Sequence, residues 1–450
     1  MNWDQLELSQ QISQKPFRDF DLFSYGADLL HQPGSLALID DSGNYIFATS
    51  PLLAFEVTRS GWNVKTEKFQ WQNSQNIASD YNDALSWLER QTSDGRLYGG
   101  LAYEAYHLFE KLPASQLEDG YELPLMLFSL YQEVHFVQIK EKIITKTISQ
   151  LNWNNKELAP FALSYQASGF KDHPWQELTS TDHGPSQMWL NRQSYLHKVE
   201  QVQQAILHGE IYQGNFTHLF RKSKTMNSWK QFCQLFSANP AGYYMFWNLG
   251  DVEICCTSPE LFVQLKEGTL TTQPIKGTLS RKFQTSQVLM KSEKDAAELS
   301  MIVDLFRNDL NRICDPNSVK VTAHKSVITL KNVYHMYSEI VGKLHKDTTS
   351  WEILAALFPS GSITGCPKIR AIEILQDLEE VQRSFYTGSL GWVSKTSVNL
   401  NVAIRTLFFV KNWVYFHVGG GIVFDSEPDK ELQETFDKAL PFFKMNETWN

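Results

Sequence analysis

Val398-Asn399-Leu400-Asn401-Val402-Ala403-Ile404-Arg405-Thr406-Leu407-Phe408-Phe409-Val410-Lys411-Asn412-Trp413-Val414-Tyr415-Phe416-His417-Val418 reads as two apolar strands joined through Lys411-Asn412. β-Branched and aromatic runs on either side of a two-residue turn predict a hairpin, here Val398–Val410 against Trp413–Val418. Leu36-Ala37-Leu38-Ile39-Asp40, the turn Asp41-Ser42-Gly43-Asn44 and Tyr45-Ile46-Phe47-Ala48 repeat the signal. Hairpins of this kind build antiparallel sheets with helices outside, not a doubly wound parallel sheet.

Outward from these hairpins, short strands are expected at 125–128, 133–137, 252–256, 261–265 and 270–276. Between about 165 and 187 the chain turns polar and loses periodicity, which reads as a linker. It separates an N-terminal domain (1–185) from a mixed α/β domain (188–450). A helix is expected from Ser194 to near Gly209, with Tyr195, Val199, Val202, Ala205 and Ile206 on one face. Over Ser292–Ile313, Leu299, Ile302, Val303, Phe306, Leu310 and Ile313 recur at helical spacing and define a buried stripe.

Composition narrows the function classes. The 450 residues are 42% hydrophobic and 20% charged, which is ordinary for a globular protein with a sizeable core. A net charge of -9 argues against nucleic acid as a partner, although a local cation cluster can still hold a small anion. No run of about 18 apolar residues is present, so no membrane span is expected. The N-terminus lacks a basic segment followed by an apolar one, so it is not read as a signal peptide. The five cysteines, 233, 255, 256, 314 and 366, show no CxxC spacing and fit neither a disulfide framework nor a zinc site. A soluble protein of a reducing compartment is the expectation, hence cytoplasmic.

Several residues stand out chemically. Lys276, in Pro274-Ile275-Lys276-Gly277-Thr278, places an amine beside a Gly-Thr turn, and such an amine is a nucleophile if its surroundings hold it neutral. Asp295 and Glu298 share one helix face, and Glu431, Glu434 and Lys438 share another. Each face taken alone also suits a solvated charged surface. A carboxylate from each helix would suit Mg²⁺, which takes few carboxylates, waters and an anionic substrate group. Spacing does not show whether the helices meet.

Phe358-Pro359-Ser360-Gly361-Ser362-Ile363-Thr364-Gly365-Cys366-Pro367-Lys368 precedes an amphipathic helix and offers hydroxyls and backbone N–H groups to an anion. Gly419-Gly420-Gly421 ends a strand, as where a ligand approaches the backbone closely. Arg405, inside an apolar strand, calls for a carboxylate partner, which could equally be a core acid. His335, taken alone, fits a structural histidine. No HExxH, GxSxG, Walker A or Rossmann pattern is present. A Mg²⁺-dependent lyase or transferase for an anionic substrate and a non-catalytic binding protein both fit these residues.

Taken together, the segments resemble the chorismate-utilising enzymes. The matching strings are Gly209-Glu210-Ile211-Tyr212-Gln213-Gly214-Asn215, Ser258-Pro259-Glu260, Pro274–Thr278, Ala297–Leu305, Arg307-Asn308-Asp309-Leu310, Gly361–Lys368, Ala403-Ile404-Arg405-Thr406 and Gly419–Val423. They stand in family order across about 190–445. The resemblance implies an anthranilate synthase component I-like fold, in which two antiparallel β-sheets pack together with helices on the outside. The N-terminal part is looser: Leu29-Leu30-His31-Gln32 departs from the family's Leu-Leu-x-Ser element of a tryptophan site.

Within the family, the lysine of the Pro274–Thr278 motif is similar to the aminodeoxychorismate synthase component I group, where anthranilate synthases carry alanine. The resemblance implies that Glu298 and Glu434 hold Mg²⁺, with Asp295 and Glu431 behind them. Arg405, Gly419, Gly421 and Lys438 would hold the carboxylates of chorismate, and Ser362 and His335 would line the ring. Glu260 would be the general acid, protonated through a raised pKa, and Lys276 the covalent nucleophile. Ammonia would come from a separate glutamine amidotransferase, since no Gly-x-Cys-x-Gly elbow and no appended lyase is read in the chain. Anthranilate synthase component I and a non-catalytic chorismate-binding homologue are the alternatives.

Overall fold

The computed structural model describes residues 6–16, 22–39, 44–65, 70–73, 96–113, 116–140, 143–153, 159–170, 173–178, 186–238, 240, 242–282, 285–394 and 396–443. The expected turn at 41–44 lies largely outside these residues, as does the linker over 171–172 and 179–185. The strands flanking that turn, Leu36–Ile39 and Tyr45–Thr58, do pair antiparallel.

Extended strand pairing among the described residues is antiparallel throughout, in two runs that share their longest strands. In the first run Leu36–Ile39 pairs Tyr244–Asn248, which pairs Val252–Thr257, then Thr406–Val410, Trp413–Ile422 and Gln213–Ser223. The second joins Leu97–Leu101 to Ser389–Val393, Val398–Asn401, Leu261–Lys266, Thr269–Gln273 and Val333–Lys343. Tyr45–Thr58 and Met126–Lys140 pair with one another and belong to both runs, since each supplies a different stretch to each. The two short strands expected at 125–128 and 133–137 are therefore one. Ser129-Leu130-Tyr131-Gln132 between them stays extended, and its pairing with Tyr45–Thr58 continues through a register shift between Pro51 and Leu53. Because 36–39 pairs 244–247 and 97–101 pairs 389–393, N-terminal strands complete both sheets of the C-terminal part.

Two further expectations change. The run 270–276 breaks at Pro274 into Thr269–Gln273 and Ile275–Ser280, because proline has no N–H for the ladder. The strand expected over 398–410 breaks into Val398–Asn401 and Thr406–Val410, which lie in different runs, with Arg405 between them at φ +53°. The hairpin through Lys411-Asn412 is present.

The helices follow their patterning. Glu293–Asn311 starts after Ser292, whose Oγ accepts from the Asp295 N–H, and it buries Leu299, Ile302, Val303, Phe306 and Leu310 as expected. Removing the Phe306 side chain would cost about 3–5 kcal/mol. Arg192–Leu207 is capped by Asn191, and Lys368–Leu378 buries Ala371, Ile372, Leu375 and Leu378. Pro428–Phe443 closes the described chain. None of these helices is long and apolar enough to cross a membrane. All five cysteines are free thiols.

Candidate active site

The break at Pro274 positions Lys276. Ile275–Ser280 pairs Val333–Lys343 with Lys276 opposite Met336 and Thr278 opposite His335, and the register slips between them at Gly277. Gly277 has φ +79°, and a Cβ there would lie 2.8 Å from the Asp295 carboxyl carbon, so the turn needs glycine on two counts. The slip re-aims Lys276, whose Nζ donates to the Ser362 carbonyl at 3.1 Å. Ser362 is buried, and its hydroxyl lies 2.9 Å from that of Ser360.

Glu260 arrives from the opposite wall. Ser258 Oγ donates to the Val402 carbonyl at 2.6 Å and accepts from the Glu260 N–H at 3.1 Å, while the Val402 N–H donates to the Glu260 carbonyl at 3.1 Å. The Ser-Pro-Glu turn is thus clamped to the crossover between the sheets. The Glu260 side chain is buried and its Oε1 has no hydrogen-bond partner among the described residues. Burial pushes its carboxyl up to about 7, against the opposing pull of a Ser362 hydrogen bond and the Lys276 and Arg405 charges. The carboxyl is therefore largely protonated below neutral pH, as general-acid work requires.

Arg405 sits on that crossover. Its carbonyl accepts from Thr257 N–H and Oγ1, both at 3.0 Å, which fixes the left-handed backbone. The sequence called for a carboxylate beside its guanidinium, but no ion pair to Arg405 occurs among the described residues. Its neighbour is His335 Nε2 at 3.4 Å. Burial lowers the Arg405 pKa, although Tyr244 and Glu260 oppose that. His335, buried, is pushed down to about 3 by burial and then by the Arg405 charge. Its Nδ1 lies 2.9 Å from Thr278 Oγ1. A guanidinium largely desolvated without its own acid is suited to a substrate carboxylate.

The glycines and the last helix form the other half. Trp413–Ile422 pairs Gln213–Ser223 with Gly419, Gly420 and Gly421 opposite Thr217, Phe216 and Asn215. A Cβ on Gly420 would stand 3.4 Å from Glu431 Oε2 and 3.7 Å from both Glu434 Oε1 and Lys438 Nζ. Those distances are ordinary contacts; the positions that need glycine are Gly419 and Gly421, where a Cβ would lie 2.3 Å from the Phe216 carbonyl oxygen and 2.0 Å from Gln213 Nε2 on the paired strand. Lys438 Nζ pairs with Glu434 Oε1 at 2.7 Å and donates to the Gly419 carbonyl at 2.9 Å. Glu431 is buried and accepts from Ser426 Oγ at 2.6 Å.

Glu298 links the halves electrostatically. Burial raises its pKa, Lys276 and Lys294 lower it, and Asp295 and Glu434 raise it. For Glu434 burial acts upward too, yet Lys438, Lys294 and Lys276 bring it below the usual value. Each glutamate thus feels Lys276, and Glu298 feels Glu434. No cluster of three or more His, Cys, Asp or Glu poised for a metal occurs among the described residues. Two carboxylates whose charges repel still fit a hard cation that completes its shell with water and substrate oxygens.

Sequence reasoning missed the scaffold behind these groups. Arg383 is fully buried and bonds Glu379 twice, at 2.9 and 2.6 Å. It also donates to the Asn215 and Ile363 carbonyls at 2.7 and 3.1 Å, and so ties the glycine strand's partner to the Ser362 turn. Glu379 in turn accepts from Thr217 N–H and Oγ1 at 3.0 and 2.9 Å. Lys368 bonds Asp309 at 2.8 Å and anchors the turn to the Glu293–Asn311 helix. Glu379 and Arg383 lie past the end of the Lys368–Leu378 helix, so no helical spacing marked the pair in the sequence.

A family model described as chorismate binding enzyme matches residues 41–444. An aminodeoxychorismate synthase component 1 from Klebsiella aerogenes is 35% identical over 357 residues, 77% of this chain and 76% of that protein. An anthranilate synthase component 1 from Spirochaeta aurantia is 33% identical over 389 residues, 80% of this chain and 79% of the other. Among solved structures, anthranilate synthase component I from Streptococcus pneumoniae superposes with a TM-score of 0.71 at 25% identity, covering 89% of this chain and 92% of that one. The menaquinone-specific isochorismate synthase of Escherichia coli shares the fold, with a TM-score of 0.73 at 17% identity over 98% and 95% of the two chains. An α+β fold of two antiparallel sheets with Lys276, Glu260, Arg405 and the Gly419–Gly421 strand at their junction is accordingly that of a family member, and the chain belongs to the chorismate-binding enzymes.

Proposed function

We propose that this chain is an aminodeoxychorismate synthase component I. It would convert chorismate and ammonia to 4-amino-4-deoxychorismate, on the cytoplasmic route to para-aminobenzoate and folate. The observation that carries the reading is Lys276, held by Ser362 in one cluster with a Glu260 whose carboxyl is pushed up to about 7. A subfamily that released pyruvate without a covalent step would have no use for an amine there.

Arg405 would take one carboxylate of chorismate, and Lys438 with the Gly419 and Gly421 backbone the ring side, with Ser362 and His335 along the ring. Mg²⁺, held by Glu298 and Glu434 and supported by Asp295 and Glu431, would neutralise substrate carboxylate charge. The Lys276 amine, having lost its proton, adds at C2. The ring double bonds shift, and the C4 hydroxyl leaves as water with the proton of Glu260. Ammonia then bonds at C4, the double bonds shift back, and Lys276 departs as the free amine. The relatives' designation as component 1 supports a separate glutamine amidotransferase as the source of ammonia.

Anthranilate synthase component I is the second reading, favoured by relatives of that name with nearly equal identity. Incubation with chorismate, Mg²⁺ and ammonium, followed by mass spectrometry, separates the two. A product that keeps the enolpyruvyl group supports the proposal. Anthranilate with released pyruvate would overturn it, and no turnover would favour a non-catalytic homologue.

A further inference from the structure

A cavity of about 380 Å³ lies at the far end of the strand that carries the glycines. Trp413 at its edge is six residues from Gly419, roughly 20 Å of extended strand. Its walls include Phe170, Trp413 and Tyr415, and its charged lining residues, Arg221 and Lys411, are both cations. In a chain of net charge -9, a cavity with cations and no acid among its described lining residues runs against composition.

The Arg221 guanidinium is sandwiched between two indoles, 4.0 Å from the Trp175 ring and 4.1 Å from the Trp413 ring. Its Nε donates to Gln187 Oε1 at 2.5 Å, and Tyr415 shares a further hydrogen bond with it. Glu177 acts on its charge, but Glu177 is engaged by Gln187 Nε2, and no ion pair to Arg221 occurs among the described residues. With both faces covered, the guanidinium can meet a ligand only through its edge, which favours a planar carboxylate. Beside it, the Trp175 Nε1–H is buried with no acceptor among the described residues. Lys411 at the hairpin turn reaches only the Ser168 carbonyl, at 3.5 Å. The two charged groups here, Arg221 and Lys411, can only donate, and Trp413 gives the lining a partly exposed aromatic face.

We propose that this cavity binds an aromatic monocarboxylate, its carboxylate on Arg221 and Lys411 and its ring against Trp413, the partly exposed aromatic of the lining. The volume falls in the range of small-molecule sites. The site is independent of the catalytic cluster and of the reaction assigned to it.

Calorimetric titration of the whole chain with benzoate and with 4-aminobenzoate, chorismate present at saturation, tests the assignment. Benzoate should bind, benzylamine should not, and Arg221→Gln and Lys411→Gln should each weaken benzoate about tenfold. Lys411 is exposed on a turn, so its variant keeps the test valid if loss of the indole sandwich unfolds Arg221→Gln. Three outcomes would each overturn the site: no binding up to about 10 mM, loss of binding when chorismate is added, or equal affinity in Lys411→Gln.

Discussion

Arg405 Nη2 stands 3.4 Å from His335 Nε2. Because a guanidinium has only donors, Nε2 must offer its lone pair, and the ring proton must sit on Nδ1, facing Thr278 Oγ1 at 2.9 Å. His335 is therefore a neutral, oriented ring that keeps Arg405 extended toward the site. Nitrogen NMR should show the Nδ1–H tautomer with no protonation down to about pH 4. A titration midpoint between 6 and 7 would contradict this arrangement.

His218 and His417 are likewise pushed down to about 3, by burial. Unfolded histidines bind protons below about 6.5 while these folded ones do not, so stability should fall as pH drops from 6.5 toward 3. Thermal unfolding at pH 6.5, 5.5 and 4.5 checks the slope, and replacing His218 by Gln should flatten it.

Glu260 sets the opposite limb. Its folded value of about 7 lies above the unfolded 4.5, so the acid form needed for catalysis is lost as pH rises through 7. Turnover should fall on that side, and Glu260→Gln should lose about 10²–10⁴ in rate together with the limb itself. The same shift lowers stability between pH 4.5 and 7, where the unfolded chain has released a proton the folded one retains. Glu104, also raised to about 7 by burial, adds to that loss. An alkaline limb that survives in Glu260→Gln would assign it to another group.

Intact-protein mass spectrometry with chorismate and Mg²⁺ but no ammonia should show an adduct on the chain. Lys276→Ala should abolish both adduct and aminated product while changing chorismate affinity by only a few-fold. An adduct that persists in Lys276→Ala would place the nucleophile elsewhere.

Gly277→Ala should be destabilised by about 1–3 kcal/mol, because φ +79° and the 2.8 Å approach of Asp295 both penalise a Cβ. Denaturant titration measures it. Asp295→Ala in the same chain should recover only part of the loss, since Leu289 Cδ1 stands 2.9 Å away on the other side.

The sequence determined the antiparallel hairpins and the helix carrying Leu299 to Leu310. It also determined family membership, because ordered motifs and local periodicity depend only on neighbours along the chain. It could not show the crossover at Arg405, since residues 398–410 are apolar enough to read as one strand and only the pairing partners reveal two sheets. Nor could it show that Glu298, from one helix, stands where Lys276 and Glu434 act on its charge. Arg383 went unread because its value lies in reaching the Asn215 and Ile363 carbonyls, far apart in sequence. Motif chemistry is local and can be read from residue types, whereas burial and charge at a site are sums over distant segments. The tertiary structure alone brings the charges of Lys276 and Arg405 to act on a buried Glu260, and that burial raises its pKa.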